Sequence, residues 1–115
     1  MLLTIDQSDD RPLYRQLAAS VRNALVSGDL APGDALPPTR EVAAALDVNA
    51  ETVQRAYRLL AEEGIVMSRV GRGTRVLDHI DPVILELEGA IDDLVARAAH
   101  LGIDPDGLAA MIRRR

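Results

Sequence analysis

The 115-residue chain contains no cysteine. That excludes a disulfide framework, a thiolate metal site and a thiol nucleophile, and leaves His79 and His100 as the only imidazoles for a transition metal. Both read as ordinary surface residues, so no metal and no cofactor is expected. Lysine is missing as well, all thirteen bases being arginine, which reads as compositional bias rather than function. No run of eighteen apolar residues occurs, and the N-terminal MLLTIDQSDD carries acids without a basic lead. Neither a membrane span nor a signal peptide fits, and a soluble, cytoplasmic protein is expected. Paired acids around a pocket, a nucleophile with its base and a metal cluster are all lacking, which argues against an enzyme.

What is present is unevenly charged. The net charge of -5 divides into three acids and no base in residues 1–10, nine arginines against seven acids in residues 11–77, and four arginines against eight acids in residues 78–115. A mildly basic middle between acidic flanks is the asymmetry of a polyanion-binding face. The length allows one compact domain and an appendage, not two full cores.

After a short alternating run at Leu3–Ile5, Pro12 opens a helix in which Tyr14, Leu17, Ala18, Val21 and Leu25 recur at the three-four spacing of one buried face. Gly28 ends it, and APGD is a turn. Thr39–Leu46 reads as a second helix with Val42, Ala43 and Leu46 inward. Asp47-Val48-Asn49 breaks it, and Asn49 is placed to cap a third helix. There Val53, Ala56, Tyr57 and Leu60 face the core, and Glu51, Arg55, Arg58 and Glu62 form the opposite stripe with Gln54 on its shoulder. Gly64 ends this helix. Residues 65–70 and 74–77 read as two strands joined by Gly71-Arg72-Gly73, whose glycines tolerate the positive φ of a tight hairpin.

Three helices, the second and third separated by a three-residue turn, and then a hairpin describe an α+β winged helix-turn-helix. Such a fold lays its third helix in the DNA major groove, where Arg55 and Arg58 reach phosphate or guanine and Gln54 an adenine edge. The arginine-tipped hairpin fits a phosphate backbone or the minor groove. Two other readings remain beside it: a solvated helix face with Arg55 and Arg58 paired to Glu51 and Glu62, and a winged-helix module whose hairpin contacts protein.

The segment from PLYRQLAASVRNALVSGDLAPGDALPPTREVAAALDVNAETVQRAYRLLAEEG to GRGTRV resembles the DNA-binding domain of GntR-type transcription regulators. SGDLAPGDALP, TREVA, NAETVQRAY and GRGTRV stand in that family's order and spacing. Asn49, Thr52, Val53, Arg55, Ala56 and Tyr57 fit the N-x-x-T-V-x-R-A-Y pattern of the YtrA and MocR branches, and the chain is too short for the aminotransferase-like domain of the latter. The resemblance implies that Arg40 holds DNA from the second helix, that Thr52 and Arg55 act from the third, and that Gly71, Arg72, Gly73 and Thr74 form the wing tip. The candidate DNA-contacting set is Arg40, Asn49, Glu51, Thr52, Gln54, Arg55 and Arg58 from the helices, and Arg69, Gly71, Arg72, Gly73 and Thr74 from the hairpin. Pro38 stands where the family usually has a capping serine, Asp47 replaces a turn glycine, and Ala50 and Glu51 replace residues that are often arginine or asparagine. A different operator sequence is the expected consequence.

Beyond this reader, residues 1–78, lies a short tail, residues 79–115. Asp81-Pro82 caps a helix in which Ile84, Leu87, Ile91, Leu94, Ala98 and Leu101 repeat at steps of three and four, a seam for another helix. Gly102 stops it, and Asp104-Pro105 caps a second helix with Leu108, Met111 and Ile112 on its apolar face. Thirty-seven residues cannot build a stable core alone, so the tail packs on its own reader or on the tail of a second chain. The resemblance implies a dimerisation tail. Together these expectations describe a homodimeric repressor of a local operon, such as one for a transporter, bound to double-stranded DNA at a palindromic operator, with no effector assigned.

Overall fold

A computed structural model of the chain describes residues 3–115; Met1 and Leu2, the first residues of MLLTIDQSDD, lie outside the described residues. The architecture is α1 (Leu13–Ser27), α2 (Thr39–Leu46), α3 (Ala50–Glu62), β1 (Val66–Arg69), β2 (Gly73–Val76), α4 (Pro82–His100) and α5 (Pro105–Arg113).

The first three helices follow their apolar stripes. In α1, Leu17, Ala18 and Val21 are fully buried, and Pro12 sits immediately before the helix. In α3 the buried face is Val53, Ala56, Tyr57 and Leu60, as spaced in the sequence. Asn49 caps α3, its side chain accepting from the Glu51 amide at 2.8 Å. Pro38 provides no side-chain cap for α2. Asp47, where a glycine is expected, has φ 53° and is the only non-glycine with positive φ among the described residues; an aspartate tolerates this better than most residues because its short polar side chain can bond locally. The Tyr57 hydroxyl donates to the Pro37 carbonyl at 2.6 Å, tying the segment ahead of α2 to the buried side of α3.

The first strand is shorter than the sequence suggests, and the second has the expected four residues shifted by one toward the turn. They pair antiparallel with Val66 opposite Val76, Ser68 opposite Thr74 and Arg69 opposite Gly73. Val70 therefore belongs to the turn, which the Arg72 amide closes onto the Arg69 carbonyl. The residues that follow the APGD turn pair with the hairpin. Ala35 bridges Arg75, and the Leu36 amide donates to the Thr74 carbonyl at 2.9 Å, which gives the hairpin a third backbone edge. The alternating Leu3–Ile5 run forms no strand. Leu3 is buried, and the Thr4 and Asp6 amides donate to the Ser20 hydroxyl and the Gln16 side-chain oxygen of α1.

The tail is held to the reader by charge. Asp92 of α4 accepts from Arg15 at 2.7 Å and Arg11 at 2.9 Å, and lies 3.8 Å from Arg22. Arg22, buried in α1, also donates to both carboxylate oxygens of Glu63, at 2.8 and 2.9 Å, just past the end of α3. Burial pushes the Glu63 carboxyl above the ordinary glutamate value, against the opposing pull of Arg22. One buried cation thus joins α1, α3 and α4.

The outward seam needs correcting at two positions. Ala98 and Leu108 are buried inside the chain, because α5 folds back against the end of α4. Ile84, Leu87, Ile91 and Leu94 remain 41–50% exposed, and Leu101 and Ile112 more so, while Met111 is partly buried.

Removing one member of a buried ion pair leaves its partner uncompensated. Arg22→Ala should therefore cost about 3 kcal/mol or more, the range for such breaks, as measured by chemical denaturation. A loss under about 1 kcal/mol, typical of an exposed pair, would show that Arg22 does not hold the three helices together.

Candidate nucleic-acid interface

The outer face of α3 and the inner face of the hairpin border one cleft. It is lined by Thr39 at the start of α2, Gln54, Tyr57 and Arg58 of α3, and Ser68 and Thr74 of the strands. Strand alternation produces this arrangement: Val66, Ser68, Thr74 and Val76 lie on one side of the hairpin, and Met67, Arg69 and Arg75 on the other. The Ser68 and Thr74 hydroxyls bond each other across the strands at 2.7 Å, which fixes the inner rim.

A second cleft, on the opposite shoulder of α3, is lined by Pro12, Leu13, Tyr14, Glu51, Thr52 and Arg55. Here the Arg55 guanidinium carbon lies 3.8 Å from the centroid of the Tyr14 ring. Arg58 pairs with Glu51 at 2.9 Å, two turns back along α3. The i,i+4 pairs of the solvated-face reading, Arg55 with Glu51 and Arg58 with Glu62, are not formed among the described residues.

The arginines divide into two populations. Arg11, Arg15, Arg22 and Arg58 have carboxylate partners. Apart from Arg97 and the terminal Arg113–Arg115, those with no acid partner among the described residues are Arg40, Arg55, Arg69, Arg72 and Arg75, all on α2, α3 or the hairpin. The Arg69 side chain donates to the Met67 sulfur at 3.3 Å, its one hydrogen bond among the described residues, and Arg75 donates to the Gly33 carbonyl at 3.2 Å. The side chains of Arg40, Gln54 and Arg72 are exposed and make no hydrogen bond among the described residues. A chain of net charge -5 thus carries unneutralised guanidinium groups on the helix-turn-helix and on the hairpin, the chemistry that binds phosphate.

The remaining sequence candidates take more limited positions. The Asn49 carbonyl oxygen is engaged in the α3 cap, so its amide nitrogen is what it can offer. Glu51, an acid on this face, is neutralised by Arg58. Gly71 and Gly73 have φ 76° and 73° with open space around them, so glycine is needed there for backbone conformation and not for clearance. Sequence reasoning missed Val70, which it placed inside a strand. The residue is fully exposed at the hairpin tip beside the arginines, where an apolar side chain suits sugar or groove contact. The only signal for it was its position directly before Gly71.

Among the described residues no group of three or more potential metal ligands gathers, and no helix is long and apolar enough to cross a membrane.

Residues 13–76 match the family model of the bacterial regulatory proteins of the gntR family. The HTH-type transcriptional repressor YtrA of Bacillus subtilis is 28% identical over 117 residues, spanning 97% of this chain and 90% of that protein. The HTH-type transcriptional regulator Rv1152 of Mycobacterium tuberculosis is 37% identical over 101 residues, 88% of this chain and 83% of that one. Among solved structures, YtrA from Sulfolobus acidocaldarius, a GntR-family transcription factor, superposes with a TM-score of 0.66 at 30% identity, over 87% of this chain and 99% of that chain. With the three helices, the hairpin and the matched residues in register, the chain belongs to the GntR family, in its YtrA-like branch, and is a winged helix-turn-helix transcriptional regulator rather than an enzyme.

Proposed function

We propose that the protein is a cytoplasmic homodimeric repressor that binds a palindromic operator in double-stranded DNA and occludes a promoter of a local operon. The observation that carries the reading is the cluster of arginines without acid partners on α2, α3 and the hairpin, in a chain whose other reader-domain arginines are paired. In this reading residues 1–78 form the reader. Its α3 enters the major groove with Gln54 toward the base edges, Arg40, Asn49, Thr52 and Arg58 border the contact, and Arg69, Arg72 and Thr74 carry the wing onto phosphate. Residues 79–115 form the dimerisation tail. Support for it comes from the exposed stripe Ile84, Leu87, Ile91 and Leu94 on α4, an apolar surface that the monomer leaves wet.

A mobility shift against the DNA upstream of the protein's own gene, with competitor DNA, tests the reading directly: a shift that specific but not scrambled competitor removes is expected. A buried unpaired carboxylate is costly, so Leu87→Asp or Leu94→Asp should yield monomers that bind the operator poorly. Light scattering that still shows a dimer after either change would contradict the tail assignment.

The wing supplies charge and position more than base identity. Arg72→Ala should therefore weaken binding to operator and scrambled DNA alike, lowering the slope of log affinity against log salt by about one for each phosphate that a subunit no longer neutralises. Gly73→Val should do more, because it forbids the turn's backbone at φ 73° and displaces the neighbouring arginines together. An unchanged salt slope for Arg72→Ala on both DNAs would make the hairpin a protein-contact element instead.

A further inference from the structure

Arg55 and Gln54 are neighbours in sequence, but 100° apart around α3 they border different clefts. Gln54 faces the hairpin side with Arg58, Ser68 and Thr74. Arg55 is drawn the other way, over the Tyr14 ring in the first turn of α1, 3.8 Å from its centroid. The contact is a cation–π interaction, and what it does not do is as informative as what it does. The nearest acid along the helix, Glu51, is bound by Arg58 at 2.9 Å, and the Arg55 side chain has neither an ion pair nor a hydrogen bond among the described residues. A carboxylate would fix the guanidinium and cancel its charge. An aromatic face fixes it and leaves its charge and N–H donors available.

We propose that Tyr14 is a positioning residue that makes Arg55 a phosphate clamp rather than a base reader. It holds the guanidinium beside Thr52 at the α1 edge of the half-site, and leaves Gln54 to read the bases. This rests on the DNA-binding reading above and narrows it: Arg55 contributes affinity at every sequence, and Gln54 contributes discrimination. Restraint of the side chain before binding removes part of the ordering cost that a free arginine would meet on contacting DNA.

The experiment compares the full-length parent with Tyr14→Phe, Tyr14→Leu, Arg55→Ala, Gln54→Ala and the Tyr14→Leu/Arg55→Ala pair, using affinity, salt slope and selected-site sequencing. Tyr14→Phe keeps the ring and should bind like the parent. Tyr14→Leu keeps an apolar side chain at this half-buried position, and should weaken binding about two- to fivefold per half-site, the scale of an exposed cation–π contact. Arg55→Ala should lower the salt slope by about one per half-site with the selected motif unchanged, whereas Gln54→Ala should change the motif. Added to Arg55→Ala, Tyr14→Leu should have no further effect, which separates positioning from a merely structural role. Equal weakening in the Phe and Leu variants would assign the effect to the hydroxyl and overturn the proposal. So would an altered motif for Arg55→Ala, or Tyr14→Leu binding that matches the parent. A parent that binds no DNA would overturn the underlying function and this inference together, whereas a binding parent with indifferent Tyr14 variants overturns the inference alone.

Discussion

A single guanidinium organises the molecule. Arg22 is only 3% exposed, and a cation buried to that degree is tolerated only when it is neutralised and hydrogen-bonded. Its two acids come from different places: Glu63 follows the last turn of α3, and Asp92 lies in the middle of α4. To satisfy Arg22, the end of α3 must sit against α1 and the tail must approach the same helix. Arg11 and Arg15 reinforce the second requirement by sharing Asp92. The orientation of the tail relative to the reader is set by this polar geometry together with Ile80 and Leu85, which pack against the reader's core, and the apolar stripe of α4 faces outward.

The same cluster accounts for the charge pattern of the face with the clefts. Acids on the α1–α4 side neutralise Arg11, Arg15 and Arg22, whereas Arg69, Arg72 and Arg75 form no ion pair among the described residues, Asp78 bordering their recess without pairing. Net charge alone would have argued against a polyanion ligand. What counts is where each charge is neutralised, since an exposed, unneutralised arginine attracts phosphate over the screening length, roughly 8–10 Å at ordinary salt, whatever the sum over the chain.

How much of this was legible in the sequence depended on range. The α3 face of Val53, Ala56, Tyr57 and Leu60, the Asn49, Asp81 and Asp104 caps and the glycine turns follow from residues within one or two turns of each other, so periodicity and capping chemistry reveal them. The Arg22–Glu63 pair spans 41 positions and the bridge of Ala35 to Arg75 links distant segments, and no local pattern announces either. Ala98 obeyed the seam's spacing and Leu108 lay on the apolar face of α5, but both are covered by the α4–α5 return, because an apolar stripe states which face is apolar and not what covers it. At the interface, the candidate residues were named from pattern and resemblance. The pairing of Arg58 with Glu51 skips the i,i+4 partner that the spacing suggests, and the stacking of Arg55 on Tyr14 needed the packing of α1 against α3.

The central claim is that the unneutralised arginines of α2, α3 and the hairpin form a DNA-reading face that a two-fold dimer presents twice. Hydroxyl-radical footprinting of the intact protein on its selected operator addresses it most directly. Two inverted protected half-sites, with centres separated by about 34–36 Å, one helical turn, or a multiple of it, are the predicted result. Uniform protection without a repeat, or a single half-site under conditions where the protein is dimeric, would contradict it.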